Sequence, residues 1–156
     1  MNKKRFSTKP SAKAKAVELL SRSDQSVRRL TDKLVRRDYG EEEIQETIEW
    51  LQAKRFIDDE AGCKRRFDNF YESSDYSVKQ ICAKLMQKGY PSDIVYSCVP
   101  DEIYDVELTK AANVLRKKYK APAAYQKMMQ YLYSKGFSYE AARDSVEQYL
   151  AEGDNT

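Results

Sequence analysis

Apolar residues recur along this chain at helical spacing, and the pattern restarts after each polar break. Val17 and Leu20 fit a first helix running from about Ala12 to Arg22. Ser23 is placed to cap the next one, its hydroxyl accepting an orphan backbone N–H. Val27, Leu30 and Leu34 form that helix's stripe; Tyr39 and Gly40 interrupt; Ile44, Ile48 and Leu51 continue, with Trp50 beside them. Asp58 or Asp59 is placed to cap a helix carrying Phe67, Phe70 and Tyr71. Gly62 costs a helix interior about 1 kcal/mol relative to alanine and predicts a late start. Ser74 or Asp75 precedes a stripe of Val78, Ile81 and Leu85, which Gly89 closes as the left-handed residue after a helix. Pro91 suits the first turn of a helix carrying Ile94, Val95, Cys98 and Val99, to be ended by Pro100. Val106, Ala111, Val114 and Leu115 bury the face of another, with a basic last turn. Tyr125, Met128 and Leu132 line the next; Gly136 breaks it, Ser138 caps the last, and Ala142, Val146 and Tyr149 follow.

The phrase "KLMQKGYPSDI", Lys84 to Ile94, has echoes in "KLVRRDYGEEEI" and "YLYSKGFSYEAA". Ser26, Val27, Leu30, Lys33, Leu34 and Tyr39 match Ser77, Val78, Ile81, Lys84, Leu85 and Tyr90 at one constant spacing. Ile81, Leu85, Lys88, Gly89 and Tyr90 match Met128, Leu132, Lys135, Gly136 and Phe137 at a second. A period of about 50 residues marks an internal repeat. The chain therefore reads as all-α, three tandem three-helix repeats stacked into an elongated array. The divisions are a flexible basic arm (1–11) and repeats over 12–57, 58–100 and 101–152. The aromatic after each break is expected to pack back on its own helix pair.

Composition supports the helical reading: 5 glycines and 4 prolines in 156 residues leave little room for long loops. The net charge of +3 does not point to a strongly basic nucleic-acid binder. Its distribution is uneven. Lys3, Lys4, Arg5, Lys9, Lys13, Lys15 and Arg22 face only Glu18 and Asp24 in the first 24 residues. Such an arm can contact phosphate or an acidic groove, or simply solubilise the chain. Cys63, Cys82 and Cys98 have no CxxC spacing and suit packed thiols in a reducing cytosol. With neither a secretory leader nor an apolar run of about 20 residues, a cytoplasmic location is expected.

Enzymatic chemistry finds little support. The chain has no histidine, the commonest general base and metal ligand, and no Gly-rich phosphate loop. Asp58, Asp59 and Glu60 read as a helix start rather than a Mg²⁺ site. No catalytic residue, cofactor or metal is expected. Contact is better served by the basic clusters. Arg28, Arg29, Lys33, Arg36 and Arg37 crowd one helix, with Arg22 just before it, and positions 29, 33, 36 and 37 share a face. Lys84 and Lys88 recur in the second copy; Lys64, Arg65 and Arg66, then Arg116, Lys117 and Lys118, add two more clusters. A polar helix face is ordinarily just solvated; the alternative is salt-sensitive contact with phosphate or an acidic surface. The 12 tyrosines crowd the third repeat, where packing between units competes with base stacking.

Leu19 to Glu60 resembles the opening signature of the RecX family of bacterial recombination regulators. The residues that carry the resemblance are Arg22 and Ser23, the Leu30-x-x-Lys33-Leu34 core, and Asp58-Asp59-Glu60. "QICAKLMQKGY" and "YLYSKGFSYEAARDSV" are similar to the family's later lines, and the ordered set spans roughly Ala12 to Leu150. Ala61-Gly62-Cys63 and Ser73-Ser74-Asp75 depart from the usual pattern. The resemblance implies three repeats of three helices in an elongated, curved array and a regulatory protein; a monomer without enzymatic activity is expected. It would bind RecA and the RecA filament on single-stranded DNA, and restrain filament growth, ATP hydrolysis, strand exchange and co-protease activity. The basic residues above are then the candidate contacts with RecA or DNA. Independent nucleic-acid binding by a helical-repeat protein is the alternative.

Overall fold

The computed structural model describes residues 8–154. Most of the arm read over 1–11 therefore lies outside the described residues. Among these, nine α-helices and no strand are present: α1 (Ala12–Arg22), α2 (Val27–Arg36), α3 (Glu41–Ala53), α4 (Asp59–Ser73), α5 (Val78–Gln87), α6 (Ser92–Ser97), α7 (Tyr104–Lys118), α8 (Tyr125–Ser134) and α9 (Tyr139–Asp154). No described helix is long and apolar enough to cross a membrane. The chain divides into two compact units. One runs to Gly62 and includes Lys88–Tyr90; the other takes Cys63–Gln87 and Pro91 onward.

In the first unit, the apolar stripes of α1, α2 and α3 meet in one core of Ala12, Ala16, Leu19, Leu30, Leu34, Tyr39, Ile44, Ile48, Leu51 and Ile57. Ser11 caps α1 by accepting the Ala14 N–H (3.1 Å), and the Glu43 carboxylate accepts the Ala12 N–H (2.9 Å). Tyr39 packs back into this core, and its hydroxyl donates to the Pro10 carbonyl (2.6 Å). The cap of α2 is Ser26, not Ser23. Ser23 ends α1 instead: its N–H still donates to the Leu19 carbonyl, with the backbone already extended.

The second unit repeats the scheme. Ala111, Leu115, Met128, Leu132, Phe137, Ala142 and Val146 form a core between α7, α8 and α9. Tyr125 stays exposed, while Val106 is only half-buried. Ser77, not Ser74 or Asp75, caps α5: its Oγ accepts the Gln80 N–H, and Gln80 Oε1 accepts the Ser77 N–H, each at 3.1 Å. This reciprocal pair is a capping box. Ser74 turns back to donate to the Phe70 carbonyl (2.6 Å). Pro91 stands one residue before α6, which stops at Ser97. Cys98 and Val99 close onto Val95 and Tyr96 in tight i→i−3 bonds. Val99 precedes Pro100, whose ring disfavours helical geometry in the preceding residue.

Gly62 does not delay α4, which starts at Asp59 with Asp58 Oδ1 accepting the Ala61 N–H (3.1 Å). A Cβ at Gly62 would stand 3.2 Å from the Tyr90 hydroxyl oxygen. The missing side chain therefore makes room for the buried Tyr90 ring, which compensates the poor helix propensity.

Candidate functional site

The polar groups at the starts of the middle helices recur with the sequence repeat. In the first unit, Ser26 donates its hydroxyl to the Lys88 carbonyl (2.6 Å), while Asp59 Oδ1 accepts the Val27 N–H (3.0 Å). In the second, Ser77 donates to the Lys135 carbonyl (2.6 Å), while Glu107 Oε1 accepts the Val78 N–H (3.1 Å). Gly89 and Gly136 follow those carbonyls at φ +94° and +88°, where a Cβ would meet the serine oxygens at 2.7 and 2.8 Å. Each serine thus ties the start of its own helix to a backbone turn far along the chain. Ser26 and Ser77 both satisfy their own helix start and reach the neighbouring turn.

The two joints differ in one respect. Glu107 Oε2 also accepts the Ser138 N–H (3.2 Å). The position corresponding to Ser138 in the preceding copy is Pro91, which has no N–H to offer. A shorter carboxylate with one backbone bond, Asp59, stands there. Burial pushes the Asp59 carboxyl up, with the Val27 N–H pulling the other way and Asp58 adding to the rise. A carboxyl raised in the folded state stabilises most below its unfolded value, and that contribution is lost as pH rises through the folded one. Asp59→Asn keeps the acceptor and removes the charge. Its unfolding free energy near neutral pH should therefore match the parent within about 0.5 kcal/mol or exceed it. Asp59→Ala should lose about 1 kcal/mol. Urea denaturation checks both, and the Asn–parent difference should shrink below about pH 4.

The joint in the second unit also explains a buried lysine. Lys110, 4% exposed, donates to the Phe70 and Ser74 carbonyls (3.2 and 2.7 Å) at the end of α4. A cation there complements the negative end of the helix dipole. Burial pushes the Lys110 amine down, while Asp75 and Glu107 pull it back up.

Of the predicted contact residues, seven lie in the first unit. Arg29, Lys33 and Arg36 lie on α2 and Arg37 caps its end, all exposed except the half-buried Lys33. Lys33 Nζ donates to Gln25 (3.0 Å), and Arg37 donates to the Lys33 carbonyl (3.1 Å). Arg22 pairs with Glu18 (2.9 Å), whose carboxyl is held low by Lys15 first and also feels Arg22 and Arg37. Arg28 lays its stem along the position a Gly89 Cβ would take, so it belongs partly to the joint. Neither Arg28 nor Arg36 has an ion-pair partner among the described residues. Lys88, half-buried, contributes its carbonyl to the joint.

In the second unit most candidates are engaged. Lys64 pairs with Asp68 (2.6 Å), Lys117 with Asp75 (2.5 Å) and Arg116 with Glu152 (3.9 Å). Lys84 stands over the Tyr76 ring and Lys118 over Tyr131. Arg65 is exposed and Arg66 half-buried on α4. The tyrosines divide: Tyr119 and Tyr131 meet edge to face and Tyr149 donates to the Tyr119 carbonyl, while Tyr133 and Tyr139 are 79% and 66% exposed. Among the described residues, no cluster of three or more His, Cys, Asp or Glu is arranged to hold a metal ion.

Residues 12–51 match the family described as RecX, first three-helix domain, and residues 105–145 match RecX, third three-helix domain. The regulatory protein RecX of Haemophilus influenzae (strain PittEE) is 34% identical over 149 residues, covering 88% of this chain and 94% of its own. That of Herbaspirillum seropedicae is 27% identical, covering 88% and 90%. The crystal structure of RecX from Lactobacillus salivarius superposes with a TM-score of 0.75 at 24% identity, covering 93% of this chain and 96% of that one.

Proposed function

Because the chain belongs to the RecX family, we propose that it binds RecA, above all the RecA filament on single-stranded DNA, and restrains it. Filament growth, ATP hydrolysis, strand exchange and co-protease activity all fall under that restraint. The observation that carries this reading is the 34% identity to a regulatory protein RecX along nearly the whole of both chains. The exposed basic face of α2 supplies the contact: Arg29, Arg36 and Arg37 stand in solvent around Lys33. Such a face engages an acidic protein surface or phosphates, and speeds encounter at low salt. A modest net charge of +3 favours a protein partner over generic DNA binding.

The test compares binding of labelled protein to RecA-coated and to naked single-stranded DNA of the same length. Tighter binding to the coated strand is expected. Replacing Arg29, Lys33, Arg36 and Arg37 together by Glu should weaken it by about tenfold or more and flatten its salt dependence. Unchanged filament affinity in the folded variant would remove α2 as the contact. Equal affinity for naked and coated DNA would favour independent nucleic-acid binding.

A further inference from the structure

All three cysteines lie in the second unit, and two of them touch. Cys98 Sγ is 3.8 Å from Cys63 Sγ and also contacts the Ile94 carbonyl (3.4 Å). Cys63 is fully buried on α4 and Cys82 is 3% exposed on α5. Cys98 is half-buried, so it is the thiol a small oxidant reaches. It forms the C-cap of α6, a helix of only 6 residues, followed by Val99 and Pro100. The backbone that must shift to join the sulfurs is therefore a helix end rather than a helix interior. A disulfide is about 2 Å long, so the gap to close is itself below about 2 Å. The Lys64 ammonium, next to Cys63 in sequence, lies near enough to Cys98 for charge on the two to interact. Burial first, and charge on Cys98 second, push the Cys82 thiol up, which keeps it protonated.

We propose that Cys98 and Cys63 form a reversible dithiol–disulfide site that responds to hydroperoxides. The Cys98 thiolate attacks the outer peroxide oxygen. The O–O bond breaks, an alkoxide or hydroxide leaves and takes up a proton, and Cys98 becomes a sulfenic acid. The Cys63 thiol then attacks that sulfur, its proton and the sulfenic hydroxyl leave as water, and the S–S bond forms. The two thiols are oxidised by two electrons and the hydroperoxide is reduced to an alcohol or water. The bond pins the end of α6 to α4 and closes the chain between the two residues, which restricts the unfolded state.

The experiment treats the reduced full-length chain with a slight excess of hydrogen peroxide, then alkylates and digests it without reductant. The expected result is a monomer lighter by two hydrogens. Its linked peptides should carry Cys63 and Cys98, leave Cys82 alkylated, and be restored by a phosphine reductant. The oxidised chain should melt several degrees higher than the reduced one. Cys98→Ser should abolish the link, and Cys82→Ala should keep it. A Cys82–Cys98 bond, an intermolecular bond, or sulfinic acid on Cys98 with Cys63 still alkylatable would overturn the proposal. So would three unreacted thiols.

Discussion

Glu107→Ala is expected to destabilise the protein by about 3 kcal/mol, among the largest effects of any single polar substitution. Glu107 is 2% exposed and accepts two backbone N–H groups, one at the first residue of α5 and one at the cap of α9. It also sits in the first turn of α7. Three helix starts thus converge on one carboxylate, and their dipoles are what make a buried negative charge tolerable. Alanine would leave the Val78 N–H buried without a partner. Ser138 is exposed, so water can replace its bond. Glu107→Gln should fall between, losing about 1–2 kcal/mol, because an amide has one acceptor oxygen and its NH₂ would face the other N–H. Guanidinium denaturation followed by circular dichroism measures both. A loss below about 0.5 kcal/mol for the alanine variant would mean the joint rehydrates freely, contrary to its burial.

Gly136→Ala should cost about 2–4 kcal/mol, from two causes that can be separated. A left-handed φ of +88° strains any side chain, and the new Cβ would stand 2.8 Å from Ser77 Oγ and 3.1 Å from Lys79 Cβ. Ser77 cannot retreat without giving up both its cap on α5 and its bond to the Lys135 carbonyl. Gly89→Ala should behave alike, given φ +94° and a serine oxygen at 2.7 Å. In the first copy the corresponding residue is Asp38, at φ +64°. Aspartate tolerates that conformation. Asp38→Gly should therefore stay within about 1 kcal/mol of the parent. Adding Ser77→Ala to Gly136→Ala relieves the clash but not the φ strain. Thermal denaturation of the four chains in that double-mutant cycle should show coupling; strict additivity would reject the clash.

The repeat and its helices were legible in the chain because they rest on local signals: apolar spacing, glycine after a helix, an aromatic behind it. Where the reading missed, a distant partner decided. Ser23 and Ser26 are both good caps locally, and Ser26 is held by a carbonyl 62 residues away. The match of Ser26 with Ser77 across the repeat already pointed to it, as did the Ser77-x-x-Gln80 capping box. Gly62 is unfavourable in α4 by local propensity, and the Tyr90 ring against it supplies the reason. Glu107 and Lys110 interrupt an apolar stripe with nothing local to say why, since their partners come from α4, α5 and α9. The basic face of α2 followed from i, i+4 spacing, as did the Lys64–Asp68 pair that occupies another candidate. The Lys117–Asp75 pair could not be seen that way, because α7 and the residues before α5 meet only in the fold.

RecA's ATP hydrolysis on single-stranded DNA tests the functional account most directly. With filaments assembled first, the protein at well below one copy per RecA should slow hydrolysis progressively, and the variant with α2 charges reversed should do so far less. An unchanged rate across a range of salt concentrations, with the protein folded and in excess, would contradict the account.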